Sequence, residues 1–314
     1  MSKIASIDVG TNTVRMLIFE TEPGGRLCEI GQERAITRLG EGVGTRRRLL
    51  EHRIQGTLSV LAKFCDRCRE HEPITIRAVA TSAVREADNR DDFLNRVRAE
   101  LGLEIEVIPW EDEARLMIEG VLWRLPDAEK AVLAFDIGGG STEFILARNR
   151  EIAAATGTLL GTVRLTEKFI SHHPIVEKEY RALEEHLRRE LNFIKEELSA
   201  CPFEMLVGTA GTVTTLAAID GGVFPYDPEK VHGRTLSLGR VEKILADLKR
   251  KSLEERIAMK TMERGREDLV IAGSAIVLEI MRVFESDLLM VSEYGLREGI
   301  VLDAMKRKKL PGTR

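Results

Sequence analysis

The sequence predicts an α/β protein of two similar lobes, each built on a mixed sheet. Three observations carry this. A turn motif occurs twice, as Asp8-Val9-Gly10-Thr11-Asn12-Thr13 and as Asp136-Ile137-Gly138-Gly139-Gly140-Ser141-Thr142, its leading aspartates 136 − 8 = 128 residues apart. Each copy lies between apolar runs (Ile4 to Val9 and Val14 to Phe19; Ala131 to Ile137 and Phe144 to Ala147), which reads as strand, tight glycine turn, strand. Both halves then order their elements alike, strands first and alternating helices and strands after, as in a ribonuclease H-like lobe. A pair of dinucleotide-binding folds is disfavoured: neither turn carries G-x-G-x-x-G, and a strand follows each.

Element by element, the first half is expected to form strands at about 3–9, 13–20, 26–36, 74–80 and 104–108, with helices at about 49–71, 90–101 and 110–123. The second is expected to form strands at about 130–137, 142–148, 150–158, 204–208 and 287–292, with helices at about 161–170, 176–199, 211–219, 239–250 and 268–284. A last helix, about 294–308, is expected to return to the first lobe. Leu125-Pro126-Asp127 is the best linker, because proline turns the residue before it away from helix. The lobes are thus placed at 1–124, with a helix at about 299–314 packing back, and at 125–298. Loop 40–48, glycine-rich and basic, is read first as a solvated loop and second as one that reaches into a cleft. Lys306-Arg307-Lys308-Lys309 ends a helix, where the macrodipole favours cations.

Composition narrows the classes. With 314 residues, each lobe can bury a core, and 43% hydrophobic and 31% charged residues fit a globular protein. A net charge of −4 gives no general pull toward nucleic acid, so an anion site has to be built locally. The start Met-Ser-Lys-Ile has no leader pattern and no apolar run approaches a membrane span, so a cytoplasmic location is expected. Cys28, Cys65, Cys68 and Cys201 fit reduced thiols. Cys65-x-x-Cys68 with His71 lacks the four ligands of a structural zinc and reads as thiols on a helix face.

The chemistry concentrates in a few places. The first turn offers Asp8, Gly10, Thr11, Asn12 and Thr13, with Arg15 on the same strand face as Thr13. In the second, Gly138, Gly139, Gly140, Ser141 and Thr142 form a phosphate-sized loop flanked by Asp136 and Glu143, a sensible pair of hard oxygen ligands for Mg²⁺. Gly208, Gly211 and Thr212 lie where a strand enters a helix, whose N–H groups can face an anion or whose glycines can serve packing. Thr81, Ser82 and Arg85 offer hydroxyls and a guanidinium to phosphate. Glu111-Asp112-Glu113 opens a helix, either as dipole-favoured acids or with one of them as a general base; spacing does not choose between Glu111 and Glu113. His232, in a loop, reads as solvated before it reads as a substrate contact.

With these residues in place, the chain resembles the exopolyphosphatase/guanosine-pentaphosphate phosphohydrolase (Ppx/GppA) family, of the actin, sugar-kinase and chaperone-ATPase fold group. The resemblance runs through Ile7 to Thr13, Ala80 to Ala87, Glu113-Ala114-Arg115-Leu116, Asp136 to Glu143, Leu160 to Thr166, Gly208 to Thr212 and Tyr294-Gly295-Leu296-Arg297-Glu298-Gly299. It implies a phosphate chain held between the lobes, with Glu113 as the base that activates water, Asp136 and Glu143 supporting the metal, and the two turns and Arg85 binding phosphate oxygens. Mg²⁺ is the implied cofactor, with Mn²⁺ or a monovalent cation as further options. Inorganic polyphosphate is the expected substrate and guanosine pentaphosphate the alternative; a kinase or a non-catalytic polyphosphate or nucleotide sensor is more distant. A homodimer is implied by analogy alone. Pro109-Trp110 stands where the family often has Ser-Gly, Thr13 replaces a common serine, and no helical HD-type extension is expected.

Overall fold

The computed structural model describes residues 2–23, 26–72, 74–198 and 202–309; Cys201 and the far end of the expected 299–314 segment lie outside them. The chain divides into two compact units: residues up to Gly120 together with those from Leu296 onward, and Val121–Gly295.

The first unit runs β1 (Lys3–Val9), β2 (Thr13–Thr21), β3 (Leu27–Ile36), α1 (Val43–Arg46), α2 (Glu51–Arg69), β4 (Ile74–Ala80), α3 (Ser82–Glu86), α4 (Arg90–Leu101), β5 (Ile105–Val107) and α5 (Trp110–Trp123), whose last three residues fall in the second unit. Its sheet has the order β3-β2-β1-β4-β5. β1, β2 and β3 pair antiparallel, and β4 and β5 join in parallel. Period-two alternation puts Ala5, Ile7 and Val9 of β1 opposite Ile18, Met16 and Val14 of β2, forming one apolar face. On that face α2 lays Ile54, Leu58, Leu61, Phe64, Cys65 and Cys68, spaced at helical intervals. The two cysteines are therefore core residues: Cys68 Sγ lies 3.5 Å from Met16 Sδ, and burial pushes its thiol up to about 11. No cluster of three or more metal-ligating side chains occurs among the described residues.

The second unit runs β6 (Val132–Ile137), β7 (Thr142–Arg148), β8 (Glu151–Thr158), α6 (Thr162–Phe169), α7 (Glu177–Leu198), β9 (Met205–Thr209), α8 (Ala210–Gly221), α9 (Pro228–Val231), β10 (Thr235–Ser237), α10 (Leu238–Arg250), α11 (Leu253–Ile257), α12 (Val270–Val283) and β11 (Leu288–Val291). Its sheet, β10-β11-β9-β6-β7-β8, repeats the plan of the first and adds β10 at the edge. Leu133, Phe135 and Ile137 of β6 and Phe144 and Leu146 of β7 meet the apolar stripe of α7 and α12, which is buried from Val270 to Met281, in one core.

The last helix, α13 (Leu296–Lys309), belongs to the first unit and covers the other face of its sheet. Leu296 and Ile300 pack with Val79, Ile108 and Leu116. Asp303 binds Arg77 and, at 3.0 Å, Arg115. At Gly299 the helix touches the backbone of α5 so closely that a Cβ would overlap the Leu116 carbonyl. The ribonuclease H-like order holds in both units. What periodicity missed is short: α1, inside the segment read as loop 40–48, with α3, α9, α11 and β10, none spanning enough residues for a repeat to register. No described helix is long and apolar enough to cross a membrane.

Candidate active site

The two repeated turns share one construction. In the first, Gly10 N–H donates to Thr13 O at 3.1 Å; in the second, Gly138 N–H donates to Ser141 O at 2.9 Å. A Cβ at either glycine would crowd that same carbonyl, at 3.0 and 3.2 Å. Other segments then tie down the turn carbonyls. Thr11 O accepts Gly40 N–H (2.8 Å), and Asn12 O accepts those of Thr37 and Arg38 (3.0 Å each). Gly138 O accepts Thr162 N–H (3.0 Å), Gly139 O accepts Val163 N–H (2.9 Å), and Gly140 O accepts Arg164 Nε (3.1 Å). The N–H groups of Thr11, Asn12, Gly139 and Gly140 donate to nothing among the described residues. With carbonyls bound behind and N–H groups unspent, such a turn is receptive to an anion.

The turns differ seven residues after each aspartate. Asp8 stands opposite Arg15 across β1 and β2, whereas Asp136 stands opposite Glu143 across β6 and β7. Directly opposed side chains are about 4.5–5.5 Å apart at Cβ, and like charges there are destabilising. The first turn carries its own cation; the second sets two carboxylates together, with Glu143 also accepting Ser141 Oγ at 2.6 Å. Two neighbouring hard oxygen donors fit Mg²⁺, which binds one or two carboxylates and keeps its remaining positions for water and phosphate. Thr142 Oγ1, by contrast, is spent on Leu160 O at 2.6 Å, so its contribution is to the turn's shape.

Asp8 is poorly suited to touch phosphate as an ion, since a carboxylate only accepts. Its Oδ1 is buried without a hydrogen-bond partner, and burial, opposed by Arg15 and Arg297, pushes its pKa up to about 6. The folded pKa exceeds the unfolded one, so the stability tied to this group is full below about pH 4 and lost as pH rises through about 6. Asp8→Asn is therefore expected to stabilise the protein at pH 8 by up to about 3 kcal/mol, at 1.36 kcal/mol per pKa unit, and to change little at pH 4. Urea midpoints at the two pH values check this; an equal difference at both would rule out the titration of Asp8 as the cause.

Glu113 is the buried member of its acidic run, at 9% exposure, while Glu111 is exposed and Asp112 leans to Arg115 at 3.4 Å. Pro109 closes the first turn of α5 with its carbonyl accepting Glu113 N–H at 3.1 Å. Arg85 Nη1 donates to Glu113 Oε2 at 2.9 Å and to Ile108 O at 2.8 Å. Arg85 thus fixes Glu113, and its Nε and Nη2 donors remain without a partner among the described residues. Thr81 and Ser82 are buried beside it, with Ser82 Oγ spent on Glu86 at 2.7 Å.

The third turn has a packing account. A Cβ at Gly208 would meet Phe135 Cζ at 2.8 Å, and one at Gly211 would overlap the Arg266 guanidinium. Thr212 is buried beside Gly273. Ala210, the first residue of α8, holds φ at 68°, a left-handed conformation that costs energy for a residue with a Cβ. Three residues given no role from sequence matter here: Arg164, which holds the second turn, and Arg297 and Glu298, whose charges act on Asp8. The runs Leu160 to Thr166 and Tyr294 to Gly299 were their only signals.

The Ppx/GppA phosphatase family model matches residues 17–308. The chain belongs to the Ppx/GppA phosphatase family. It is 32% identical to "Exopolyphosphatase 2" of Mycobacterium tuberculosis over 317 aligned positions, covering 96% of this chain and 98% of that one. It is 25% identical to "Guanosine-5'-triphosphate,3'-diphosphate pyrophosphatase" of Photobacterium profundum, covering 97% of this chain but 60% of that one. The crystal structure of the Aquifex aeolicus Ppx/GppA member is similar at 37% identity and a TM-score of 0.83, covering 98% and 99% of the two chains. The family is one of phosphohydrolases that act on phosphoanhydride substrates.

Proposed function

We propose that this family member is an exopolyphosphatase that releases terminal phosphate from inorganic polyphosphate. The observation that carries hydrolysis is Glu113: one acid of three, buried and held by Arg85. Its carboxylate takes a proton from water as the oxygen attacks phosphorus, and Arg85 keeps it aimed. Turn N–H groups at Thr11, Asn12, Gly139 and Gly140 bind phosphate oxygens and receive charge as it develops. Asp136 and Glu143 would hold Mg²⁺, which when bound neutralises phosphate charge. Polyphosphate is favoured over guanosine pentaphosphate because the chain spans nearly the whole of the relative named exopolyphosphatase and only part of the relative named for the guanosine substrate.

The test is phosphate release by the purified protein with Mg²⁺, comparing kcat/KM on long-chain polyphosphate and on guanosine pentaphosphate. The expected result is a higher value on polyphosphate. A higher value on the guanosine compound would transfer the assignment to that substrate, and release from neither would overturn hydrolysis of this class.

A further inference from the structure

We propose that loop 37–49 is a docking track for the body of a polyphosphate chain, beyond the phosphate that is cleaved; this rests on the exopolyphosphatase reading above. The segment 38–48 holds Arg38, Arg46, Arg47 and Arg48 against Glu41, a local charge of 4 − 1 = +3 in a chain of net −4. Arg46 and Arg48 are the part of that charge that carboxylates leave over. Glu41 binds Arg53 at 2.7 Å and Arg47 binds Asp88 at 3.4 Å, but exposed Arg46 and Arg48 have no carboxylate partner among the described residues.

The loop is also built rather than loose. One end is fastened to the first turn by the bonds from Thr37, Arg38 and Gly40, and a Cβ at Gly40 would sit 2.9 Å from Ala83 Cβ. The other is fastened just past α3: Leu49 N–H donates to Asn89 Oδ1 at 2.9 Å, Asn89 Nδ2 donates to Leu49 O at 3.1 Å, and Asp88 N–H donates to Arg47 O at 2.7 Å. Val43, Leu39 and Leu49 are buried beneath it. Arg38 and Arg47 each hold φ at 51°, the left-handed region, which an arginine occupies only where its surroundings enforce it. The loop therefore runs from one segment of the candidate site to another and presents cations along the way.

Cross-strand register extends the line. Asp8 faces Arg15, and Arg15 faces Arg34, so the two arginines stand side by side on one face of the sheet. Polyphosphate carries a negative charge on every internal phosphate, and guanidinium groups match its oxygens in pairs. A short substrate ends before the track begins; a long one lies along it.

The experiment compares Arg46→Glu/Arg48→Glu, and Arg46→Gln/Arg48→Gln as a milder pair, with the unaltered protein on long-chain polyphosphate and on tripolyphosphate. Expected at low salt is a rise of about tenfold in KM for the long chain, with kcat and all tripolyphosphate constants unchanged. The difference should close as salt is raised. Equal losses on both substrates, or none on the long chain, would overturn the track. Direct binding of long-chain polyphosphate to the same proteins separates the two ideas: a protein that binds through Arg46 and Arg48 without turnover refutes the hydrolase and supports the track.

Discussion

Glu113→Gln is expected to lower kcat for phosphate release by roughly 10²–10⁴-fold, the usual contribution of a positioned general base. The substitution is nearly isosteric. A glutamine carbonyl can still accept from Arg85 Nη1, now 2.9 Å from Glu113 Oε2, so the guanidinium keeps its place and its second bond to Ile108 O. What disappears is the capacity to take a proton. KM should therefore move little, since the phosphate contacts assigned here lie in the turns. The paired measurement is Glu111→Gln, two residues earlier in the same helical turn but exposed. It should leave kcat within about twofold, as surface substitutions usually do little. Near-normal turnover in Glu113→Gln, or comparable losses in both variants, would remove Glu113 as the base.

Gly161→Ala is expected to reduce kcat/KM by about 10²-fold and to destabilise the protein by about 1–3 kcal/mol. Gly161 has φ −99° and ψ 148°, a conformation alanine adopts without strain, so the effect is steric alone. The added Cβ would overlap Gly139 O and the Gly140 backbone, and backbone cannot swing aside as a side chain can. The first N–H groups of α6 also clamp the carbonyls of Gly138 and Gly139, so relief on one side pulls the turn on the other. Displacement of the order of 1 Å at a phosphate-binding turn is enough for such a loss in rate. Gly157→Ala is the comparison, because its Cβ would make an ordinary 3.7 Å contact with Thr142 O. Steady-state kinetics and urea unfolding of the two variants check the claim; an active, stable Gly161→Ala would mean that the clamp does not set the turn.

The fold was legible because its long elements have clean periods. The strands around both turns alternate, and α2 and α7 repeat at helical spacing, so the doubled lobe follows from residues a few positions apart. The site was legible only in pieces. Glu111 and Glu113 differ little in sequence; what separates them is burial and an arginine 28 positions away. The glycines of the third turn read as either anion-binding or packing, and the neighbours Phe135 and Arg266 that account for the packing lie far away in sequence. The loop that ties down Thr11 and Asn12 does so through backbone N–H groups, which leave no mark in side-chain chemistry. Long-range pairing of this kind is what a local pattern cannot carry.

The placement of α13 sets an order on assembly. Unit two is one continuous stretch, Val121–Gly295, and needs no residue from beyond Gly295 to complete it. Unit one cannot be completed so early. Its sheet face at Val79, with Ile108 and Leu116, stays uncovered until Leu296 and Ile300 arrive, and Arg77 and Arg115 wait for Asp303. The charges that act on Asp8 arrive with the same helix. The unit whose chain begins first thus waits for residues that lie beyond the whole of unit two, and its proposed base stands on an unfinished platform until they arrive.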